Sequence, residues 1–474
     1  MMLAHVFLAP YTLPVPFWLY LYGCAAAIVL SFALLAYLAT SSLDAHARDR
    51  RELLVGAAAG RLWRWTVFAL RAGAVASLAI TIAAGVAGPS DPAQNVGMTL
   101  FWVWFLLAFA YLTALVGDLY AWLNPWNTLA DILQIAGVDM DRPRLPYPRA
   151  AAYWPAVVLY IALVWIELFA LPRPATLATA LALYTAVTLS GMYVFGRRAW
   201  LRQAEVFAVF FRVIGSLAPV EYVAGAAGAC PRVVLRWPLS GALSEHADHP
   251  SLVVFILFML SSTTYDAIHE TYLWISLYWQ RLLPVLQPLW GTDVISAQAV
   301  LTTGYWWYQW LGLAVSPAFY LALYLTVQWM AAVVTGANVS LGRLSALFVF
   351  SLVPIAVAYH ATHYVPSMLL QLPALVPQLA DPFGRGWLLL PFQAARAAPL
   401  PMAFVWHAQV IVLLAGHVAG VYLAHAAASR VFPTRRQGIA SQLPMLALMV
   451  GYTCLGLWVL SLPLGVPQLV PAGG

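Results

Sequence analysis

The 474-residue chain reads as an all-α polytopic membrane protein, a single integral membrane domain with about ten transmembrane helices in one bundle. Three observations predict it. Hydrophobic residues make up 63% of the sequence against 8% charged, with a mean hydropathy of +0.82, which no soluble domain of this size sustains. Ten apolar runs are long enough for the roughly 20 helical residues that cross a hydrocarbon core of about 30 Å. The 23 basic residues, every one an arginine, gather in alternate connections between those runs.

The runs lie at about 17–39, 63–87, 96–117, 151–171, 175–195, 251–271, 309–335, 344–365, 403–428 and 442–464. Cytoplasmic loops collect arginine, so the connections test the count. With the amino terminus outside, connections 40–62, 118–150, 196–250, 336–343 and 429–441 face the cytoplasm. Together with Arg64 they carry 18 arginines. The outward connections carry only Arg173, Arg281, Arg385 and Arg396, and Arg71 lies within a run. An odd number of spans would scramble this contrast. The expectation is a multi-pass protein of a bacterial inner membrane with both termini outside, and MMLAHVFLAPYTLPVP, which lacks a basic leader and a cleavage-type site, is expected to remain as an uncleaved start.

The surplus of +6 charges is read as this topology signal, and no nucleic-acid partner is expected. The expected partners are the bilayer, a hydrophobic small-molecule substrate and, as an open option, a partner membrane subunit. Cys24, Cys230 and Cys454 stand far apart without CxxC spacing, which suggests neither a disulfide framework nor a cysteine zinc site. Two arginine-side segments, 122–137 and 197–215, show apolar residues at helical spacing beside polar ones, and both are expected to lie flat on the inner membrane surface as amphipathic helices. The outward connections 272–308 and 366–402 are rich in Trp, Tyr and Pro and suit an interfacial cap.

Against this apolar background the ionisable residues can be placed by depth, at 1.5 Å of rise per helical residue. His360 in AYHATHY sits roughly 7 Å below the outer end of its run, with His363 nearer the surface. SSTTYDAIHET puts Asp266 at a similar depth and sets His269 and Glu270 at i+3 and i+4 on the same face. Glu167 in WIELFALP and His407 in FVWHAQ reach the same level from two further runs. An ionisable side chain inside the bilayer costs several kcal/mol unless it finds a partner, a metal or water.

Three readings of this level follow. Mixed imidazoles and carboxylates suit a divalent ion such as zinc, manganese or iron, with His360, His363, Asp266, Glu270, His407 and Glu167 as candidate ligands. Glu270 and His269 are then the candidate catalytic groups beside it. Alternatively, the same residues hydrogen-bond in pairs, such as Asp266 with His360, and hold helices together. The third reading is haem, with His417 as an axial ligand near mid-membrane, where Gly416 and Gly420 leave room beside the helix. His246, His249 and His425 have ordinary solvated readings.

The stretches LPVPFWLYLYG (13–23), DLYAWLNPWNTLAD (118–131), SSTTYDAIHET (261–271), AYHATHY (358–364) and HAQVIVLLAGHVAGVYLAH (407–425) resemble, in this order, the bacterial multi-pass membrane fenitrothion hydrolases. The resemblance covers most of the chain. It implies cleavage of an organophosphorus triester to a phenol and a dialkyl thiophosphate. Joined to the metal reading, it gives a metal-dependent hydrolase with an outward-facing intramembrane site. A haem or redox protein and a proton- or metal-coupled transporter are the alternatives.

The arginine census generates a topology test. A reporter enzyme fused after Gly474 is expected to be active only outside the inner membrane, and activity in the cytoplasm would show a miscounted span.

Overall fold

The computed structural model describes residues 15–38, 50–53, 57–170, 173–223, 232–286, 294–336, 339–386 and 400–461. Residues 1–14 and 462–474, on which the expected sides of the termini rest, lie outside these, as do Cys230 and Arg396. The chain is an all-α polytopic membrane protein. Helices α1 (Phe17–Leu38) and α2 (Ala57–Ala87) are followed by α3 (Val96–Val116), whose middle, Thr99–Ala108, is wound as a π-helix. Then come α4 (Pro125–Ile135), α5 (Trp154–Phe169), α6 (Pro174–Phe195), α7 (Arg197–Gln203) and α8 (Val206–Gly215). The remaining long helices are α9 (Pro250–His269), α10 (Val294–Thr335), α11 (Leu341–Ala380), α12 (Met402–Val431) and α13 (Arg435–Ser461).

Nine of these, among the described residues, are long and apolar enough to cross a membrane. The expected span at 151–171 is the shorter α5, whose 16 residues rise about 24 Å. Its ends show that it nevertheless traverses the bundle. At its start the Tyr153 amide donates to Ser251 Oγ at the beginning of α9, 3.0 Å away. At its far end the chain turns into α6, and Pro174 of α6 packs so closely on α2 that a Cβ on Gly85 would lie 2.5 Å from the Pro174 carbonyl oxygen.

The arginine-bearing connections converge on one side of the bundle. A three-stranded antiparallel sheet, order β1-β3-β2, joins β1 (Arg51–Leu53), β2 (Val220–Val223) and β3 (Arg232–Leu235), with Arg51 opposite Leu235 and Glu221 opposite Val234. Glu221 accepts from Arg50 and Arg236, each at 3.2 Å. Arg435 donates to the Tyr37 carbonyl at 2.8 Å, and the Ala247 amide donates to the Ala346 carbonyl at 3.0 Å. On the opposite side Asn95 Nδ2 donates to the Ala84 and Pro89 carbonyls, and Gln378 Nε2 to the Ala93 carbonyl. The grouping of arginines read from the sequence is therefore a grouping in space.

Of the two segments expected flat on the membrane surface, α8 and the start of α4 dip into the bundle, whereas α7 and the end of α4 keep exposed residues. In α4 the first residues, Pro125 and Trp126, are buried, while Ile132, Gln134 and Ile135 are exposed. Trp126 Nε1 donates to Thr185 Oγ1 at 2.9 Å, and Thr185 lies about 15 Å inside the arginine-side end of α6. Helix α8 is buried over almost its whole length. Glu205 and Asn124 cap the starts of α8 and α4, and Asn124 Nδ2 donates to Glu205 Oε2 at 3.3 Å. The Glu205 carboxylate also accepts from Tyr184 OH and from the Phe207 and Ala208 amides. Two half-helices thus meet by their amino ends inside the apolar layer, which is tolerated where irregular backbone is covered by protein. Arg71, which lies within an apolar run, pairs with Asp131 on α4, and Asp131 also pairs with Arg197.

At the centre stands α9, with almost every residue buried between α5, α10, α11 and α13. Helices α11 and α12 approach through GHVAG (416–420). A Cβ on Gly416 would fall 2.3 Å from Ala358 Cβ, and one on Gly420 2.8 Å from the Ser351 carbonyl oxygen. This is the small-residue contact that lets membrane helices touch backbone to backbone. Replacing Gly416 with Leu is expected to lower the melting midpoint of the purified protein, a cost of about 1–3 kcal/mol for an overpacked contact. Gly451→Ala, where a Cβ meets nothing within 4 Å, is the control and should melt with the wild type.

Candidate functional site

Three of the four predicted helices deliver their polar residues to one place. Asp266 lies in the last turn of α9, 2% exposed. Its Oδ2 accepts from His363 Nε2 at 2.8 Å and from Tyr364 OH at 2.6 Å, both on α11. Its other oxygen, Oδ1, is buried without a hydrogen bond among the described residues and lies 3.7 Å from His269 Nδ1. The cross-helix pair anticipated as Asp266 with His360 is therefore formed with His363 instead. His360 turns toward α3, where its Nδ1 is 2.8 Å from Tyr111 OH.

Asp266, His360 and Tyr364 line a cavity of about 100 Å³ together with Glu167 of α5. Among the described residues the Glu167 carboxyl makes no hydrogen bond or ion pair, and it is half-buried. The walls are apolar: Trp102 and Leu106 from the π-helical stretch of α3, Phe207 and Phe210 from α8. Phe210 stacks edge-on against Tyr160 at 5.8 Å, so α8 closes the cavity toward the arginine side. Ala170, Arg173, Thr176 and Gln371 line the other end, where the chain turns from α5 into α6. That α8 reaches up from below to close one end of the cavity is a feature that hydropathy does not encode.

The remaining predicted residues do not line this cavity. His269 is buried, but its Nδ1 donates to the Asp266 backbone carbonyl at 2.7 Å and its ring stacks on Tyr265 at 5.4 Å. Its Nε2 is 3.9 Å from Glu270 Oε1, and Glu270 is partly exposed at the rim. His407 does not join the group. On α12, Gln409 Nε2 donates to the Thr362 carbonyl of α11, so His407, two residues and about 200° away, faces α1. There it is exposed, with Nε2 3.3 Å from Tyr20 OH and Nδ1 bonded to the Ala403 carbonyl.

Neither expected cofactor fits the donors present. Among the described residues no group of three or more His, Cys, Asp or Glu side chains is placed to hold a metal ion. Asp266 Oδ2 is already engaged by His363 and Tyr364, and the His360 Nδ1 by Tyr111. For haem, the space beside Gly416 and Gly420 is taken by α11, as their close contacts with Ala358 and Ser351 show. His417 is buried with Nδ1 bonded to the Leu413 carbonyl at 2.8 Å. Its Nε2 has no hydrogen-bond partner among the described residues.

Sequence reasoning passed over Tyr364, Tyr111 and Arg173. Tyr364 adjoins His363 in AYHATHY, and a phenol next to an intramembrane histidine is a usable signal. Tyr111 carries none, since only the packing of α3 on α11 brings it to His360. Arg173 was read as a loop charge alone. No family model, curated protein or solved structure matches the chain.

The pairing of α9 with α11 has a measurable consequence. Asp266→Ala leaves His363 Nε2 and Tyr364 OH buried without an acceptor, at about 1–3 kcal/mol for each orphaned donor. Its melting midpoint should fall well below that of Asp266→Asn, which keeps an acceptor oxygen. Equal midpoints for wild type and Asp266→Ala would show that the pair does not hold these helices together.

Proposed function

We propose that the chain is a membrane hydrolase that cleaves a lipophilic phosphotriester-like substrate by acid–base chemistry in the Glu167–Asp266 cavity. The observation that carries this reading is a pair of acidic groups in one small apolar cavity, Asp266 Oδ1 and Glu167, that take no hydrogen bond among the described residues. A carboxylate oxygen left bare inside a bilayer is a standing cost, which the function offsets. The likeness of AYHATHY and SSTTYDAIHET to membrane fenitrothion hydrolases supplies the substrate class.

In this mechanism Asp266 Oδ1 accepts one proton of a water molecule as the water oxygen bonds to phosphorus. The bond from phosphorus to the aryloxide breaks, and Glu167 in its acid form gives the leaving oxygen its proton. Transfer of the proton from Asp266 to Glu167 restores both groups. His363 and Tyr364 hold Asp266 by Oδ2, which keeps Oδ1 aimed at the reaction. The cavity has room for a few waters, so it encloses the reacting phosphorus while the apolar remainder of the substrate lies toward lipid. With the arginine side cytoplasmic, the mouth opens to the outer leaflet of the inner membrane.

One observation favours a second reading. Half-helices that meet at depth by their amino ends, as α4 and α8 do through Asn124 and Glu205, also mark the binding sites of transporters. A proton-coupled carrier would move a labelled substrate across proteoliposomes without product.

In nanodiscs the wild type is expected to release phenol from an aryl dialkyl thiophosphate. Glu167→Gln and Asp266→Asn should each lower the rate by roughly 100-fold or more, the scale of a lost general acid or base. Turnover that survives chelation supports residue-based chemistry. Loss on chelation with recovery on added zinc would move the chemistry to a metal, and full activity in the Asp266→Asn, Glu167→Gln double variant would overturn the assignment of the site.

A further inference from the structure

We propose that Arg173 is the seat that receives the anionic product at the cavity mouth and hands it to the outer water layer, an inference that rests on the hydrolytic reading. The reaction turns a neutral triester into a phenol and a diester acid. The acid gives up its proton, so an anion is created within apolar walls, where an unpaired charge is strongly disfavoured. The phenol is neutral and can leave into lipid. The diester needs a cation on its way out.

Among the cavity-lining residues Arg173 is the one basic side chain besides the imidazole of His360. It is exposed at the mouth, and among the described residues its guanidinium has no ion pair or hydrogen bond. Its backbone carbonyl accepts from the Thr176 and Leu177 amides, which fixes the residue at the start of α6. The positive end of that 22-residue helix adds to the local field. Thr176 and Gln371 supply further polar contacts beside it. Its location is also against the charge bias, because the connections on this side hold few arginines. A topology signal does not explain an arginine there, whereas an anion seat does. A lipid phosphate would present the same chemistry, so the source has to be separated by experiment.

The probe is labelled diethyl thiophosphate, bound to the full-length chain in nanodiscs of zwitterionic phosphatidylcholine. Arg173→Gln is expected to weaken binding roughly tenfold or more, the effect of losing a charge-assisted contact, and Arg173→Lys to keep most of it. In turnover of the triester, Arg173→Gln should slow the steady state more than the first turnover, so that a burst of phenol appears. Equal thiophosphate binding by wild type and Arg173→Gln overturns the proposal. Binding that depends on Arg173 but is abolished when phosphatidylglycerol replaces part of the lipid gives the seat to a lipid headgroup and overturns the product role. If Arg173 governs binding while no preparation hydrolyses a triester, the anion seat stands and the hydrolytic reading fails.

Discussion

Lipid offers no hydrogen bonds, and that one constraint organises the polar side chains of this bundle. Many find their partners inside the protein, and the carboxylates that do so become joints between helices. Glu205 ties α8 to α4 and α6 through Asn124, Tyr184 and two backbone amides. Asp131 ties α4 to α2 and α7 through Arg71 and Arg197. Asp266 ties α9 to α11 through His363 and Tyr364. Substitution at any of these joints strands a partner as well as removing a group, so the cost exceeds the worth of the bond itself.

What the sequence made legible follows from what is one-dimensional. Apolar run length and arginine position are properties of the chain order, so the spans and the side that gathers charge could be read directly. The twisted details were not. An amphipathic helix has the same pattern whether its polar face meets water or a buried carboxylate, so α4 and α8 were read as surface helices although Asn124 and Glu205 bury their tips. Depth assigns His407 a height but no direction, because 1.5 Å of rise says nothing about rotation. Gln409 on the same helix decides that direction by reaching Thr362, a contact no single sequence displays. The glycines near His417 were read as room for a ligand, whereas small residues in a membrane helix more often admit a neighbouring helix, here α11.

The re-entrant helices change what the cavity is. Without α8, a space between α3, α5, α9 and α11 would run through the bundle toward the arginine side. Phe207 and Phe210 fill that lower half, and the ring of Phe211 packs at 5.1 Å on Phe109 and 4.9 Å on Tyr120. The π-helical turn of α3 places Trp102 and Leu106 on the facing wall. A bundle that only needed stability would bring these helices together, since a filled core gains dispersion that a void forfeits. Here a wall of aromatic rings stops short, and the space it leaves is the one into which Asp266 and Glu167 face.

The helix-joining and chemical readings of Asp266 are therefore not rivals, because a carboxylate has two oxygens and they are treated differently. Oδ2 is saturated by an imidazole and a phenol from α11, which fixes the position of the group as any structural joint would. Oδ1 takes no hydrogen bond among the described residues and has only the His269 imidazole near it, at 3.7 Å, although hydroxyl-bearing Ser262 and Thr263 line the same cavity. Both of those side chains bond back to the Met259 carbonyl instead. A joint selected only to hold α9 against α11 gains from an acceptor that is fully used, and a glutamine or asparagine at this position would achieve that without a charge to bury. Retaining a carboxylate with one oxygen free of hydrogen bonds, opposite a second such carboxyl at Glu167, leaves acceptors facing the cavity for whatever enters it.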